Sequence, residues 1–283
     1  MIKAIHETEH IIDFSWDLSN NSLSASYPRV ESREELQKRL ERAIGADHER
    51  IIAYYIDGVV RGVCVYLWDP EEKYAQATQF LIDPEHFDTI ADHFIDHLGT
   101  RLSGYELLIG VPAMNRRAID YFEQRDFDCI ESSIDTRLHN LKPHQVTHEH
   151  VVEKVTEDNF DEYALFHDKY ALPSEMYYHS KNLKRELDRF RILALRRDER
   201  ICSSIFAKTF ANSAEIFGLF SDGDHLDEKE ALINQLLVEL YNEFGALEEI
   251  IFFIDEEDSI ALSLTLRAGF EVNDSYRCFR CTL

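Results

Sequence analysis

Side chains able to do chemistry are scattered along this 283-residue chain and do not gather into one signature. Cys278 and Cys281 form a Cys-x-x-Cys pair, but no second pair accompanies them, so a four-thiolate zinc site is not expected. Residues 276–283 also read as a strand, in which side chains at i and i+3 point to opposite faces. His139, His144, His148 and His150 crowd one polar stretch, and His148 with His150 would chelate if that stretch were extended. No cysteine and no evident supporting partner for the rings lies near them in sequence, so we read a solvated segment and expect no metal. Glu71-Glu72 and Glu248-Glu249 are candidate general bases for an amine, although they flank expected turns and strand starts, where charge is ordinarily solvated. Tyr170, Tyr177 and Tyr178 share one loop, suited to lining an acceptor pocket or to packing. Gly-x-Ser-x-Gly, His-Glu-x-x-His, Walker A and the dinucleotide glycine fingerprint are absent, which removes the enzyme classes they serve.

Composition narrows the partners. Lys plus Arg total 30 against 54 Asp plus Glu, a formal net charge of −24. Such a chain repels phosphate backbones and anionic lipid, so nucleic acid and membrane surfaces are not expected partners. A cationic small molecule or a peptide amine would be attracted, although acidity also serves solubility alone. Apolar residues make up 45% of the chain, enough for a packed core, and no low-complexity tract is present. Residues 1–20 lack a basic, apolar leader, and no run approaches the roughly 18 apolar residues of a membrane span. Five cysteines, an odd number, read as reduced thiols. We therefore expect a soluble cytoplasmic protein; its oligomeric state is not legible.

The hydrophobic pattern supplies the elements that must position any site. Residues 51–57 and 60–68 are apolar and β-rich around Asp57-Gly58, a hairpin signal. A third strand is expected over 75–82. The segment 84–98 carries Phe87, Ile90, Ala91, Phe94, Ile95 and Leu98 on one helical stripe, with Gly99 placed as a cap. A strand over 105–111, a helix over 115–124 and strands near 128–130 and 133–138 follow. The second half repeats the order. It has a hairpin over 191–196 and 201–210, a strand over 215–220 and a helix ending at Gly245. A strand over 249–254, a helix over 258–267 and strands at 271–272 and 276–282 complete it. Each half opens with a strand and two helices, separated by the loops 19–29 and 170–182.

Asn115 and Asp258, Ala118 and Ala261, and Phe127 and Phe270 are each 143 positions apart. Three matches at one offset argue for internal duplication. We expect domains over 1–140 and 151–283, joined by a polar linker over 141–150.

This order of elements resembles the acyl-CoA-dependent N-acyltransferase (GNAT) superfamily. There a helix reading Asn-x-x-Ala-x-x-x-Tyr-x-x-x-Gly-Phe follows the fifth strand. Asn115, Ala118 and Phe127 match it in the first half, and Ala261, Gly269 and Phe270 in the second. The resemblance implies an α/β (α+β) fold of two tandem GNAT-like domains, each a mixed central sheet flanked by helices. It implies transfer of an acetyl group from acetyl-CoA to an amine. The third and fifth strands would splay into a V that takes the pantetheine arm, with cofactor contacts at Phe80, Leu81, Ile82, Asn115, Leu219 and Phe220. The pyrophosphate would sit on the N-terminus of the following helix, in a turn rich in glycine and Gln/Arg.

Both junctions depart from that pattern. Residues 82–88 have no glycine, residues 221–228 have one, and neither has a Lys or Arg. Carboxylates there serve as helix caps and repel a pyrophosphate. The superfamily's proton-donating Tyr is replaced by Phe122 and Thr265, and Tyr121, one residue away, faces elsewhere. Two readings stand: an acetyltransferase with at most one working half, the first being favoured by Asn115, or a degenerate GNAT fold that binds or assembles without CoA.

Overall fold

The computed structural model describes residues 1–30, 32–144, 150–173, 176–223 and 225–283. The first half holds β1 (Ile2–Ala4), α1 (Ile12–Ser19), α2 (Arg33–Gly45), β2 (Glu49–Ile56), β3 (Val59–Asp69) and β4 (Tyr74–Ile82). A short 3₁₀ turn (Pro84–His86) then leads into α3 (Phe87–Arg101), β5 (Glu106–Pro112), α4 (Arg116–Gln124) and β6 (Asp128–His139). The second half holds β7 (Val152–Lys154), α5 (Phe160–His167), α6 (Ser180–Arg185), β8 (Phe190–Arg197), β9 (Arg200–Thr209) and β10 (Ser213–Ser221). It ends with α7 (Leu226–Phe244), β11 (Glu249–Asp255), α8 (Ser259–Arg267) and β12 (Glu271–Thr282). Gly99 lies inside α3, two residues short of the helix end, so the expected cap there is replaced by continued helix. The paired short strands expected at 128–138 and 271–282 are each one unbroken strand.

The chain forms two compact units, Met1–Ser132 with Ser275–Leu283, and Ser133–Asp274. This grouping differs from the boundaries read from sequence in where the final strands pair. Ser133 to His139 pair antiparallel with β11, and Tyr276 to Thr282 pair antiparallel with β5. Both segments mix polar and apolar residues in strand-compatible order, so local pattern does not specify which edge receives them. Strand order is β1-β2-β3-β4-β5-β12 in the first unit and β6-β11-β10-β9-β8-β7 in the second.

Each sheet is covered on both faces. In the first unit Phe87, Ile90, Phe94 and Leu98 of α3 pack with Phe80, Phe122 and Phe279 on one face, and Ile12, Leu36 and Leu40 of α1 and α2 cover the other. In the second, Leu232, Leu236 and Leu240 of α7 pack with Ile216 and Ile250, and Phe160, Tyr163 and Phe166 of α5 pack with Phe190 and Phe206. Burying these faces is the main driving force for both units.

Turn chemistry recurs between the halves, with the hairpin turns 141 positions apart and the turns after the last helices 143 apart. Asp57 and Gly58 take φ of 49° and 80°, and Asp198 and Glu199 take 49° and 65°. Both pairs make the left-handed two-residue turn whose twist suits a hairpin. Asp126 and Gly269, also 143 apart, both take positive φ after their helices (58° and 99°). Glu199 holds this conformation with a Cβ, so Glu199→Gly is expected to stabilise the chain by about 1 kcal/mol in urea unfolding. No change, or a loss, would show that the turn is not strained.

Candidate functional site

In each unit a parallel strand pair stops midway. β4 and β5 are in register from Tyr74 opposite Glu106 to Ala77 opposite Ile109, and no further. β10 and β11 run from Ser213 opposite Glu249 to Ile216 opposite Phe252. A bulge sits at each stopping point: Thr78 is the extra residue against β3, and Phe217 the extra residue against β9. A bulge bends its strand and raises local twist, which carries residues 78–82 and 217–221 away from the neighbouring strand. Phe80, Leu81 and Ile82, and Leu219 and Phe220, follow these bulges.

In the first unit the chain's own loop enters the V. The Tyr27 N–H donates to the Gly110 carbonyl at 2.8 Å, forming an isolated bridge to β5. The Phe80 N–H donates to Ser26 Oγ at 3.0 Å, and Asn115 Nδ2 donates to the Ala25 carbonyl at 2.9 Å. Ala25, Ser26 and Tyr27 are fully buried. Gly110 permits this approach: a Cβ there would lie 2.6 Å from the Tyr276 ring and 2.9 Å from Tyr27 Cβ. Asn115 therefore has two structural tasks, because its Oδ1 also accepts the Ala118 N–H and caps α4. Among the described residues of the second unit no isolated bridge of this kind occurs. There Tyr170 stacks on Phe220 with ring centroids 5.1 Å apart, and its hydroxyl donates to Asp222 at 2.7 Å.

The helix that follows each splayed strand begins among carboxylates. Asp83 accepts the Glu85 N–H at 3.1 Å and pairs with Arg61 at 2.6 Å. In the second unit burial raises the Asp227 carboxyl, but the backbone N–H groups of Asp227 and Glu228 and the His150 ring outweigh it and hold it below its ordinary range. Glu228 is buried at the first turn of α7, accepts from Ser203 Oγ at 2.6 Å and pairs with Arg197. Burial pushes its carboxyl up, and the Ser203 hydroxyl and Arg197 bring it below the usual value. Arg61 and Arg197 come from the hairpins and are remote in sequence from the junctions, which is why the sequence did not reveal them. Asp83, Glu85 and His86 also place one ligand atom each within 4.8 Å of one another, but Arg61 already supplies Asp83 with a cation. The residues present do not fit a pyrophosphate at either helix N-terminus.

The position of the missing tyrosine differs between units. Phe122 packs against Phe80 and Phe279 at 5.9 and 5.0 Å between centroids. The residues 143 places beyond Phe122 and at the matching strand registers are Thr265, Leu219 and Thr136. Three rings in one unit are thus one leucine and two threonines in the other. Thr136 Oγ1 donates to the Phe252 carbonyl at 2.8 Å, whereas the buried Thr265 Oγ1 has no partner. Tyr121 turns to α3 and donates to Asp92 at 2.8 Å.

The other candidates lie elsewhere. Glu71 and Glu72 are in the β3–β4 turn and donate their N–H groups to Asp69, at the end of β4 opposite the splay. Glu248 accepts from Asn212, and Glu249 pairs with Arg137 at 2.9 Å. His139 is 3.7 Å from Glu249, the His144 ring meets the Lys142 carbonyl, and His150 pairs with Asp227; His148 lies outside the described residues. Tyr178 packs on Phe190 and Phe217 in its unit's core, and Tyr177 lies edge-on to it. All five cysteines are free, with Cys278 buried and Cys281 half-buried, and burial pushes both thiols up to about 12. A concavity of about 420 Å³ on α8, lined by Ser259, Leu262, Ser263, Leu266 and Arg267, lies on the face away from Thr265 and offers no acid–base group beyond Arg267. No helix among the described residues is long and apolar enough to cross a membrane.

One group beside the second V was not anticipated. His167 is fully buried, its ring against Phe206 and Phe220. Its Nε2 donates to the Tyr178 carbonyl at 2.8 Å, so Nδ1 accepts from the Tyr163 hydroxyl at 2.9 Å. Burial, opposed in part by the Tyr178 carbonyl, holds the imidazole below its ordinary 6.5. The stability this gives is fully present above 6.5 and is lost as pH falls towards the folded value, because the unfolded chain then takes up the proton. Urea unfolding from about pH 7.5 to about pH 5 should show wild type losing up to about 1.4 kcal/mol per pH unit more than His167→Gln. Parallel pH profiles would contradict this. Thr265→Val is expected to stabilise the chain by up to about 1 kcal/mol by removing an orphaned hydroxyl. A loss of that size in thermal unfolding would mean that the hydroxyl has a partner.

Several solved structures share this architecture. A GCN5-related N-acetyltransferase from Sphaerobacter thermophilus matches with a TM-score of 0.65 and 11% identity, over 99% of this chain and 95% of that one. The GCN5-related glucosamine N-acetyltransferase region of a fungal multi-domain GH3 β-N-acetylglucosaminidase matches with 0.64 and 11%, over 99% of this chain and 38% of that one. A tandem GNAT protein from the clavulanic acid biosynthesis pathway matches with 0.55 and 11%, over 99% and 98%. No protein-family model and no curated protein matches the sequence. At these identities the likeness is one of fold: the chain has the GNAT fold.

Proposed function

We propose that this chain is a GNAT-fold binding module that does not use acyl-CoA as a cosubstrate. The observation that carries this reading is the carboxylate at each helix N-terminus. Asp83 caps the 3₁₀ turn that leads into α3 by accepting the Glu85 N–H, Asp227 and Glu228 lie in the first turn of α7, and Arg61 and Arg197 are engaged by Asp83 and Glu228. An anion brought there would meet carboxylates already in place and would have to compete with them for the nearby arginines. Phe122 has no proton to give a leaving thiolate. The net charge of −24 supports a cationic small molecule or peptide amine as the partner. Five free thiols suit a reducing, cytoplasmic setting.

One observation favours acetyl transfer to an amine, confined to the second unit. Leu219, Thr265 and Thr136 are smaller side chains than Phe80, Phe122 and Phe279 at the matching positions, and Thr265 Oγ1 lacks a partner. This reverses the preference for the first half drawn from Asn115, whose side chain is committed to Ala25 and Ala118.

Calorimetric titration with acetyl-CoA and with CoA separates the two readings. We expect no binding up to millimolar concentration. Micromolar binding that survives changes at Leu81–Asp88 and is lost on Thr265→Val would overturn the module reading in favour of a working second unit.

A further inference from the structure

Asn115 and Asp258 occupy equivalent positions, and each caps its helix. Asn115 Oδ1 accepts the Ala118 N–H at 3.2 Å, and Asp258 Oδ1 accepts the Ala261 N–H at 2.8 Å. Capping therefore does not explain why the first unit has an amide where the second has a carboxylate, since both serve equally. The difference is one donor, Asn115 Nδ2, and that donor is spent on the Ala25 carbonyl. A carboxylate there would face the carbonyl oxygen with no proton between them.

Three further features concern the same segment. Ser26 Oγ takes the Phe80 N–H just beyond the bulge, the Tyr27 N–H takes the Gly110 carbonyl just beyond the last paired residue of β5, and residue 110 has no side chain to obstruct the approach. Gln79, next to Phe80, reaches the residue after the segment, its Nε2 donating to the Pro28 carbonyl at 3.4 Å. The segment thus meets a strand N–H on one side of the V and a strand C=O on the other. An extended amide ligand would need the same two groups.

We propose that residues 25–27 are a built-in occupant of the first V, held by Asn115 and Ser26, which keeps a latent site for extended amide ligands shut. The inference builds on the reading that the first unit takes no CoA. Its failure is separable from failure of that reading, because pantetheine carries the amide arm without the pyrophosphate.

Amide hydrogen exchange of the full chain, followed by NMR, tests it. Asn115→Asp keeps the oxygen for Ala118 and removes the donor to Ala25. The Tyr27 and Phe80 amides should exchange about tenfold faster in this variant, with the Ala118 amide unchanged. Ser26→Ala should accelerate the Tyr27 amide alongside Phe80, and it preserves the α4 cap entirely. At millimolar concentration pantetheine should shift resonances of residues 80–82 and 110–112 in the double variant and leave wild type unaffected. Unchanged exchange in both single variants overturns the proposal. So does a wild-type response to pantetheine, and so does a released segment with no pantetheine response.

Discussion

A parallel strand pair that separates midway leaves backbone N–H and C=O groups facing a gap, and in a protein interior such groups must find partners. Both units meet this constraint at the same point, directly beyond a bulge in the third large strand. The first unit meets it with its own backbone. Ser26 and Tyr27 supply the acceptor and donor that the missing ladder would have supplied, and Asn115 fixes the register of the inserted segment. Gly110 follows from the same demand, since a Cβ would collide with Tyr276 and Tyr27. The aromatic packing of Phe80, Phe122 and Phe279 then fills the α3–α4 side of the sheet at this point.

The second constraint is electrostatic. A free helix N-terminus attracts an anion through unpaired N–H groups and the helix dipole. In a chain of −24, carboxylates are the anions closest at hand, and Asp83, Asp227 and Glu228 lie at these helix starts. The cations that could have balanced a phosphate balance these carboxylates instead. The acidic junctions and the arginines of the neighbouring hairpins are thus one arrangement.

Comparing the units isolates what each residue is for. Asn115 and Asp258 share the cap and differ in the donor. Phe122 and Thr265 share a helix position and differ in how much space they fill. The second unit has in addition the buried Tyr163–His167–Tyr178 chain of hydrogen bonds, which fixes the imidazole tautomer and ties α5 to the loop after it.

The amino-acid order by itself determined most of the elements. Alternation and helical stripes located strands and helices, because burial of one face imposes those periods. The 143-residue offset related the end motifs of the two halves, and the carboxylates at both junctions were visible in the residue order. Gly99 misled because a cap glycine and a tolerated helical glycine look alike in sequence. The tertiary structure alone decided which strand closes which sheet, since 133–139 and 276–282 are equally suited to either edge and only hydrogen-bond geometry selects one. It alone brought Arg61 to Asp83 and Arg197 to Glu228, because cross-sheet distance is not encoded in chain separation. It alone placed Ala25–Tyr27 in the V. A loop's destination depends on backbone groups left unpaired about fifty to ninety residues away, and no local pattern carries that information.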